Sequence, residues 1–589
     1  MPGQAANADA EAQLHHPQSN ANDNVSPAAA QADGGEALLA ALRSAGVQHI
    51  FSSPGSEWAP VWEALARQRR DGTPGPSYHD LTHETLAVGM ATGYWLGSHK
   101  LAAVLLHTVP GLLQGANAIH GALLTGAPMV ISSSESVTYG EGAGPDPGSQ
   151  WYRNLSFVGG PHTVAAPFTK WAGQVADVSV LYESLLRACE LASRQPSGPV
   201  YLNIALEALL APWQLPRVCK SVAPSGARQS PVQEIEAVAV KLAAAKSPVI
   251  LTESAGRDAE AFGALAELAE LAAVPVIEPQ SAVCANLPKD HPMQIGSDVL
   301  QAAGADLILL VSCRSPWYPP SATPAPQAEV VVIDEVPQRP HIVYQVLHAD
   351  HYLEGNVTHT LRALSEAAKR KLDSSVTAER QLRVSELHER QRAQADAEEV
   401  KAQEAAKITP VLLVKTLREQ LGDAIFIDET ITHSRVIQRH LRWNRPDSWF
   451  YVQGGLGQGT GVALGMKLAR RQQPVVFMVG DGSFLYNPVM QALMASRDMD
   501  LPLLIVIFNN HQYLSMKFNH LRFYPDGAAV SGNDFDGVDL STQPPLSEFG
   551  APFGMPGFEV TDPAALADVL TEAKAILASG RTVIVNVHF

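Results

Sequence analysis

Two apolar runs near the carboxyl end of the chain each end in residues that can bind a cation. The run 474–479 is followed by Gly-Asp-Gly-Ser (480–483), and the run 502–508 is followed by Asn-Asn. The residues between the runs have helical spacing, so this stretch predicts a strand, a turn, a helix and a second strand. In a right-handed βαβ unit the carboxyl ends of both strands lie at one edge of the sheet, so Asp481 and Asn510 can converge there. Their carboxylate and amide oxygens suit a hard cation such as Mg2+.

The turn after the first run also suits a phosphate group. It is followed by a predicted helix with Asn487 as the N-cap and Pro488 as the first helical residue. Because the N-terminus of a helix attracts anions, a diphosphate beside the cation is the chemistry that this unit favours. The alternative is an ordinary buried βαβ unit with a tight glycine turn, since Gly-Asp-Gly alone is a weak signal.

Gly-Asp-Gly followed by Asn-Asn resembles the signature of thiamine diphosphate-dependent enzymes. The separation of 29 positions between Asp481 and Asn510 is slightly longer than is usual in that family, and the extra residues fall in 484–488. The resemblance implies that the metal ligands are Asp481, Asn510 and the backbone carbonyl of Gln512. It also implies that the cofactor is bound by Gly480, Asp481, Gly482, Ser483 and Asn510.

The stretch THETLAVGMATGYWLG (82–97) resembles the pyrimidine-binding domain of the same family. In that family the glutamate at the position of Glu84 contacts the aminopyrimidine ring of the cofactor and activates it. The resemblance therefore implies that Glu84 is both catalytic and cofactor-binding. A helix is predicted to begin near Glu84, and its neighbours Leu86, Val88 and Met90 fit an apolar pocket. Without the resemblance, the helix dipole alone explains a glutamate in a first helical turn.

Two other stretches match the diphosphate-binding domain of the family. In YVQGGLGQGTGVALG (451–465), Leu456 stands where relatives carry the large apolar residue that bends the cofactor, although Thr-Gly replaces the usual Leu-Pro four positions later. The bend brings the reacting groups of the cofactor together, which is a proximity effect. In DETITHS (428–434), Glu429 and Thr430 match the loop beside the diphosphate. The alternatives are a glycine-rich loop with a core leucine and a helix N-cap without a ligand.

Ser56 and His107 narrow the resemblance to the branch of benzoylformate decarboxylase and acetolactate synthase. In benzoylformate decarboxylase a serine in the same SPGS context holds the substrate carboxylate, and a histidine at the position of His107 is catalytic. A histidine that titrates near neutrality can return a proton to the substrate carbon after CO2 leaves. A turn or N-cap role for Ser56 and a structural role for His107 are the alternatives.

The second active-site histidine of benzoylformate decarboxylase has no counterpart here, because the comparable stretch SCRSPWYPP (312–320) contains no histidine. We expect His107 to be surrounded by Trp58, Leu112, Trp317 and Tyr318. An apolar pocket of this kind favours a bulky or aromatic 2-oxo acid over pyruvate. The long segment 522–537 is predicted to be a lid over the site.

Alternating apolar strands and helices predict an α/β fold with three parallel-sheet domains of the thiamine diphosphate enzyme type. The expected ranges are a disordered tail at 1–35, a pyrimidine-binding domain at 36–213, a middle domain at 231–368, a solvent-exposed connecting helix at 369–407 and a diphosphate-binding domain at 408–589. The tail contains almost no large apolar residue and cannot offset its ordering entropy. The first and last domains share a rhythm of strands and helices, as expected of two related domains that flank a different one.

Composition limits the classes of binding partner and the cellular compartment that we expect for this chain. The chain of 589 residues has a net charge of −17 and no basic stripe, which argues against nucleic acid as a partner. Its four cysteines lack CxxC spacing, which is typical of reduced core residues in a cytoplasmic protein. No apolar run reaches the ~20 residues needed to span a bilayer, and the N-terminus lacks the pattern of a signal peptide.

These patterns predict a thiamine diphosphate- and Mg2+-dependent 2-oxo acid decarboxylase that resembles benzoylformate decarboxylase and breaks a C–C bond after addition of the cofactor ylide. An acetolactate synthase-like carboligase is the first alternative, with acetolactate as the distinguishing product. A non-catalytic homologue with an assembly role is the second. No motif in the middle domain indicates FAD, which some relatives bind. The resemblance also implies a homodimer or homotetramer with active sites at the subunit interface, where Glu84 of one subunit meets Asp481 of its neighbour.

Overall fold

The computed structural model describes residues 32–137, 149–216, 223, 225–314, 316–317, 323–343 and 348–589. Residues 1–31 of the predicted tail lie outside these ranges. Gly34 and Gly35, which the sequence analysis assigns to the tail, are instead buried in the first helix. A Cβ atom on Gly34 would lie 2.1 Å from the carbonyl oxygen of Ala208, and one on Gly35 would lie 2.2 Å from that of Pro60. These close backbone contacts explain why glycine begins the helix.

The first unit is a parallel sheet with flanking helices. Its elements are α1 (Gly34–Ser44), β1 (His49–Ser53), α2 (Ala59–Arg70), β2 (Ser77–Asp80), α3 (Glu84–Ser98), β3 (Ala102–Leu106), α4 (Val109–Thr125), β4 (Met129–Ser133), α5 (Pro161–Ala165), β5 (Trp171–Val175), α6 (Leu181–Ser193), β6 (Pro199–Ile204) and α7 (Leu206–Leu210). Short 3-10 helices at Ser56–Trp58, Ala166–Phe168 and Val178–Val180 and a π-helical turn at Trp151–Leu155 connect them. The strand order is β2-β1-β3-β4-β6-β5.

The second unit is a smaller parallel sheet. Its elements are α8 (Val232–Ala244), β7 (Pro248–Thr252), α9 (Ala259–Ala272), β8 (Val276–Ile277), β9 (Leu307–Val311), β10 (Glu329–Asp334), β11 (His351–Glu354) and α10 (Val357–Lys369), with 3-10 helices at Ala255–Arg257 and Val299–Ala302. The strand order is β11-β10-β9-β7-β8. The side chain of Asp258 caps α9 by accepting a hydrogen bond from the backbone N–H of Glu260.

The long helix α11 (Ser374–Gln403) leads into the third unit. The elements of that unit are α12 (Pro410–Leu421), β12 (Ile425–Glu429), α13 (Ser434–His440), β13 (Trp449–Tyr451), α14 (Gly459–Ala469), β14 (Val475–Gly480), α15 (Asp481–Tyr486), α16 (Val489–Asp498), β15 (Leu504–Asn509), α17 (Leu514–Phe523), α18 (Ala528–Gly532), β16 (Gly557–Val560), α19 (Leu566–Ala578) and β17 (Val583–His588). Short 3-10 helices lie at Leu546–Phe553 and Pro563–Ala565. The strand order is β13-β12-β14-β15-β17-β16.

The first and third sheets have the same strand order, and the paired strands of all three sheets run parallel. This arrangement confirms the predicted fold class. The order reverses between β1 and β3 in the first sheet and between β12 and β14 in the third. Ligands of open parallel sheets bind outside the carboxyl ends of the strands at such a reversal. The ends of these four strands are therefore the places to examine for a site.

Helices α3 and α14 join the first unit to the third and run parallel in close contact. A Cβ atom on Gly93 would lie 1.9 Å from the carbonyl oxygen of Val462, and one on Gly465 would lie 2.0 Å from that of Met90. Larger residues cannot occupy these positions without separating the helices. Because the helices run in the same direction, the N-terminal end of α3, with Glu84, lies at the same end of the contact as the start of α14.

A segment of the second unit extends the third sheet beyond its edge strand β13. The N–H of Ala285 donates to the carbonyl oxygen of Trp449 at 3.1 Å, and the N–H of Tyr451 donates to that of Val283 at 3.0 Å. Cys284 and Phe450 form the antiparallel bridge between these two bonds. The second unit is thus hydrogen-bonded to the third through its backbone.

The connecting helix is less exposed than the sequence predicts. Arg380 of α11 is buried, although it is charged. Its guanidinium donates to the carbonyl oxygens of Leu242 at 2.8 Å and Ala272 at 3.0 Å, and it also donates to Ala245. These carbonyls lie at the ends of α8 and α9, where the helices leave such groups unpaired. The arginine thereby ties α11 to the second unit.

The structure also bears on the expected state of the cysteines and on the expected absence of a membrane span. Cys189, Cys284 and Cys313 are free and buried, and burial raises the pKa of each thiol, whereas Cys219 lies outside the described residues. In the part of the chain that the structure describes, no helix is both long enough and apolar enough to cross a membrane.

Candidate active site

His107 lies where the strand order of the first sheet reverses. It follows β3, and its N–H donates to the carbonyl oxygen of Ser53 at the end of β1, at 3.0 Å. The imidazole Nδ1 lies 2.8 Å from Oε1 of Glu57, a side chain that is fully buried. The same Oε1 accepts a hydrogen bond from the N–H of Thr108 at 2.9 Å. Glu57 thus connects the loop after β1 with the loop after β3.

The contact with Glu57 orients His107 and favours the protonated form of its imidazole. The hydrogen bond to Glu57 raises the pKa of the imidazole, and the nearby charge of Glu84 adds to the effect. Because Nδ1 is bound to the carboxylate, Nε2 is the nitrogen that remains for a ligand. Sequence reasoning missed Glu57. The signal available was a carboxylate inside an otherwise apolar turn, Pro-Gly-Ser-Glu-Trp.

Glu84 is the first residue of α3, as predicted, and His83 caps the helix by accepting a hydrogen bond from the N–H of Thr85. The Glu84 carboxylate faces α4 beside His107, because a Cβ atom on Gly111 would lie 3.2 Å from its Oε1. Among the described residues, this carboxylate has neither a hydrogen-bond partner nor an ion-pair partner. A half-buried carboxylate without a partner is available to a ligand.

The structure exposes Ser56, but the aromatic wall predicted around His107, formed by Trp58, Trp317 and Tyr318, is not confirmed. Ser56 is exposed at the start of its 3-10 helix, within the same turn as Glu57. Trp58 does not line the space around His107, because it is fully buried and its Nε1 donates to the carbonyl oxygen of Leu106. Leu112 is likewise fully buried. Trp317 packs against the core of the second unit instead, and Tyr318 lies outside the described residues. The prediction of an aromatic wall is therefore wrong for Trp58 and Trp317.

Asp481 lies at the strand reversal of the third sheet. It directly follows β14, and burial raises the pKa of its carboxyl group. Its Oδ2 atom is buried and has no hydrogen-bond partner in the part of the chain that the structure describes. Asn510 follows the neighbouring strand β15, and its Oδ1 accepts a hydrogen bond from the N–H of Gln512 at 3.0 Å. The carbonyl oxygen of Gln512 accepts from the N–H of Leu514 at 2.9 Å.

Two residues in strained backbone conformations flank Asp481. Ile431, in the loop after β12, and His511, in the loop after β15, both have a φ of 57°. This left-handed region is unfavourable for residues other than glycine, especially for the β-branched Ile431. Such strain is concentrated at functional sites, where the surrounding structure maintains it. The two loops therefore mark the same edge as Asp481.

Thr430 and the turn residues lie beside the same edge. The hydroxyl of Thr430 donates to Oδ1 of the buried Asp428 at 2.8 Å, and its N–H donates to the same atom at 2.9 Å. The turn residues Gly480, Gly482 and Ser483 surround Asp481, but α15 begins directly at Asp481, so the predicted open turn is the first turn of a short helix. A Cβ atom on Gly482 would lie 2.4 Å from the ring of Tyr513, which explains the glycine.

Glu429 and Asn487 are occupied by other contacts. Oε1 of Glu429 accepts hydrogen bonds from the N–H groups of Gln458 and Gly459, so this predicted cofactor contact binds the start of α14. Asn487 does not cap α16 as predicted. That helix begins after Pro488 without a side-chain cap, and the amide of Asn487 binds Glu429 and Thr460 instead.

Leu456 lies in the loop before α14 and contacts the first unit through its backbone. Its carbonyl oxygen accepts a hydrogen bond from Nδ2 of Asn117 in α4, at 3.0 Å. The loop turns through glycines with positive φ on both sides of the leucine, at 94° for Gly454, 126° for Gly455 and 92° for Gly457. These glycines allow the chain to place Leu456 between the two units.

The donor set at Asp481 suits a hard cation beside a phosphate group. It contains an unpaired buried carboxylate oxygen, a side-chain amide oxygen and a backbone carbonyl at the ends of adjacent strands, and oxygen ligands of this kind are those that hard divalent cations prefer. Within the described ranges, no group of three or more His, Cys, Asp or Glu side chains is placed to hold a metal ion. A cation at this edge thus depends on amide and carbonyl oxygens together with Asp481.

Models of the thiamine pyrophosphate enzyme family match all three units. The N-terminal TPP binding domain matches residues 32–153, the central domain matches 235–364, and the C-terminal TPP binding domain matches 430–587. The chain belongs to the thiamine pyrophosphate enzyme family. Each of the two TPP binding domains carries one of the side-chain groups described above, Glu57 with Glu84 and His107 in the first and Asp481 with Asn510 in the second.

Relatives within this family include decarboxylases and carboligases. The chain is 29% identical to a probable 2-ketoarginine decarboxylase of Pseudomonas aeruginosa, with 81% of this chain and 82% of the relative covered. It is 27% identical to benzoylformate decarboxylase of the same organism (84% and 89% covered) and 25% identical to acetolactate synthase of Bacillus subtilis (92% and 90% covered). A crystal structure of benzoylformate decarboxylase from Polynucleobacter necessarius has the same fold, with a TM-score of 0.75, 20% identity and 95% and 98% covered.

Proposed function

We propose that this chain is a thiamine diphosphate- and Mg2+-dependent 2-oxo acid decarboxylase. The observation that carries the proposal is the cluster of Glu57, His107 and Glu84, which places an imidazole with a raised pKa beside an unpartnered carboxylate. When bound, thiamine diphosphate supplies a nucleophilic carbon and an electron sink for the loss of CO2. A decarboxylase also needs a group that returns a proton to the substrate carbon, and His107 meets this need.

We assign the remaining roles from the family resemblance together with these positions. Glu84 would hold a proton at the aminopyrimidine ring, and its carboxylate has no competing partner among the described residues. His107 delivers a proton from Nε2, and Ser56 offers an exposed hydroxyl to the substrate carboxylate. Asp481, Asn510 and the carbonyl of Gln512 would hold Mg2+. Gly480, Gly482, Ser483 and Thr430 would line the diphosphate, and Leu456 would support the bent form of the cofactor.

Carboligation is the second candidate, favoured by the acetolactate synthase relative that matches nearly the whole chain. The two reactions share every step up to the loss of CO2 and differ in what then bonds to the substrate carbon. A proton yields an aldehyde, and a second 2-oxo acid yields a longer hydroxy acid. The raised pKa of His107 supports the proton and therefore the decarboxylase.

The substrate class is tested with a panel of 2-oxo acids. The panel contains benzoylformate, phenylpyruvate, pyruvate and 2-ketoarginine, since neither Trp58 nor Trp317 lines the space around His107 and the relatives are named for chemically different acids. CO2 release in the presence of thiamine diphosphate and Mg2+ is measured together with the identity of the product. An aldehyde as the main product supports the proposal. Acetolactate from pyruvate assigns the chain to carboligation, and the absence of CO2 from all four acids contradicts both candidates.

We also propose that a second copy of this chain completes the site. Large apolar side chains are exposed in the region of α15, α16 and α17 that follows Asp481: Leu485, Tyr486, Met490, Met516, Phe518, Phe523 and Tyr524. A surface with so many exposed large apolar groups is typical of a protein contact. Size-exclusion chromatography with light scattering tests this proposal, and a monomer at micromolar concentration in the presence of cofactor contradicts it.

A further inference from the structure

Glu429 is a buried carboxylate that the proposed reaction does not use. It is the last residue of β12 and has no exposed surface. Its Oε1 accepts hydrogen bonds from the N–H groups of Gln458 at 3.0 Å and Gly459 at 3.1 Å. Its Oε2 accepts a hydrogen bond from Nδ2 of Asn487 at 2.6 Å. Both carboxylate oxygens are therefore engaged by protein groups.

Asn487 has all its side-chain hydrogen-bonding groups in use. Its Nδ2 donates to Glu429 and also to the carbonyl oxygen of Ser483, at 2.8 Å. Its Oδ1 accepts from the N–H of Thr460 at 3.0 Å and from the hydroxyl of the same residue at 2.9 Å. Asn487 lies between α15 and α16, directly before Pro488. From this position its amide reaches the start of α14.

Together the two side chains cap α14 from outside that helix. The first N–H groups of a helix have no partner within it, and here Glu429 and Asn487 bind those of residues 458–460. The Glu429 carboxylate packs closely against the start of α14, because a Cβ atom on Gly459 would lie 3.1 Å from its Oε2. Leu456 lies two residues before the first of these bonds, and Asn117 holds its carbonyl oxygen from the opposite side.

We propose that Glu429 and Asn487 form a clamp that positions Leu456, and that neither residue touches the cofactor. The clamp consists of the Glu429–Asn487 hydrogen bond and the bonds from both side chains to residues 458–460. It deepens the proposed function, since it rests on Leu456 as the residue that supports the bent cofactor. Glu429 is therefore a positioning residue and not the diphosphate contact that its motif suggests.

The hydrogen-bonding groups of the clamp predict the effects of substitutions at positions 429 and 487. Glu429→Gln sets two NH2 groups against each other, and Asn487→Asp sets two carboxylates 2.6 Å apart. The double substitution Glu429→Gln with Asn487→Asp restores a donor opposite an acceptor, because the amide at position 429 then donates to the carboxylate at position 487. That carboxylate still accepts the bonds from Thr460. The oxygen that replaces Nδ2 repels the carbonyl oxygen of Ser483, which lies 2.8 Å away, so the rescue is partial.

Hydrogen exchange on the protein without cofactor tests the clamp directly. We expect the amides of residues 458–460 to exchange about tenfold faster or more in each single variant, and to recover most of their protection in the double variant. Glu253→Gln is the matched control, because Glu253 is also a buried carboxylate that accepts hydrogen bonds, from Ser281 and Arg314, in the second unit. If the single variants fail to fold, Thr460→Val removes one bond to Asn487 and leaves both clamp residues intact.

A second readout connects the clamp to the cofactor. The near-ultraviolet circular dichroism of bound thiamine diphosphate reports the environment of its aminopyrimidine ring, and we expect this band to weaken in the single variants and to return in the double variant. Unchanged amide exchange in the single variants overturns the clamp. Changed exchange with an unchanged band overturns the positioning of Leu456. If the parent protein does not bind the cofactor, the proposed function fails, while the exchange experiment still decides the clamp.

Discussion

Nδ1 of His107 lies 2.8 Å from Oε1 of Glu57, and the glutamate side chain is fully buried. A buried carboxylate this close to an imidazole is stable only when it is well hydrogen-bonded, and the N–H of Thr108 supplies the further bond. The pair leaves Nε2 of the imidazole at the edge of the sheet where Glu84 also lies. The proposed acid–base chemistry thus depends on a residue that need not contact the substrate.

Glu57→Gln should lower the pKa of His107 and weaken folding. The pKa is raised in the folded protein from its ordinary 6.5, so the pair stabilises the fold fully below that value and the contribution is lost as the pH rises through the raised value. We expect a loss of about 1.5–3 kcal/mol in the free energy of unfolding at pH 5.5, and less at pH 9. Urea titrations at the two pH values measure the difference, and NMR of the imidazole measures the pKa. An equal loss at both pH values contradicts the assignment.

His107→Ala should slow decarboxylation without affecting activation of the cofactor. A positioned acid–base group contributes about 100-fold or more to the step that it serves, so we expect kcat to fall by that amount. Exchange of the cofactor C2 proton, followed by NMR, should keep the parent rate. A slowed C2 exchange would move His107 into the activation step.

Glu84→Gln should show the opposite pattern. Binding of thiamine diphosphate is retained, because Asp481 and Asn510 are unchanged, whereas C2 exchange slows by about 100-fold or more. Thr85→Ser, which retains the hydroxyl that donates to the carbonyl oxygen of Gln114, is the neighbouring control. C2 exchange at the parent rate in the glutamine variant would remove Glu84 from the activating role.

Asp481→Ala should weaken binding of thiamine diphosphate by at least ~100-fold, equivalent to about 2.7 kcal/mol. The carboxylate oxygen that is buried without a partner is the one that the substitution removes. Titration calorimetry with and without Mg2+ measures the effect, and chelation of Mg2+ should reproduce it in the parent protein. Asp568→Ala, at an exposed position of α19, should bind as the parent does. Equal affinity of the Asp481 variant and the parent would refute the metal assignment.

Gly93→Ala should destabilise the contact between α3 and α14, because the added methyl group would meet the carbonyl oxygen of Val462. Overpacking of this kind costs about 1–3 kcal/mol. Gly263→Ala is the matched control within α9, since nothing lies within 4 Å of its added Cβ atom. The control should gain up to about 1 kcal/mol from helix propensity. Thermal unfolding of both variants measures the contrast, and similar midpoints would show that the helices separate at little cost.

Most of the fold could be predicted because its strands are apolar along their length. Strands such as Leu307–Val311 and Ala102–Leu106 are covered on both faces and appear as continuous apolar runs. Strands at or near sheet edges are harder to predict, because less apolar surface is buried there. Ser77–Asp80, for example, is largely exposed and carries His79 and Asp80. Its pairing with His49–Ser53 depends on distant residues that no local pattern reveals.

The candidate site was predictable where its residues belong to a motif. Glu84 and Asp481 lie at the start of a helix and the end of a strand, as the sequence indicates. Glu57 was missed, because its partner His107 lies 50 positions away. Asn487 was predicted to be an N-cap, because its partner Glu429 lies 58 positions away and is not apparent from the local sequence. A side chain that bonds across such a distance leaves no periodic signal, so only the folded arrangement shows what it does.

The backbone pairing of Val283 and Ala285 with β13 also protects the chain from aggregation. An uncovered edge strand offers unpaired N–H and C=O groups to any other exposed strand, and β13 contains the aromatic residues Trp449 and Tyr451. At the opposite edge, β16 carries the charged Glu559, which discourages such pairing without a cover. In the third unit expressed alone this edge would lack its cover, and we expect a lysine substituted into β13 to reduce association through it.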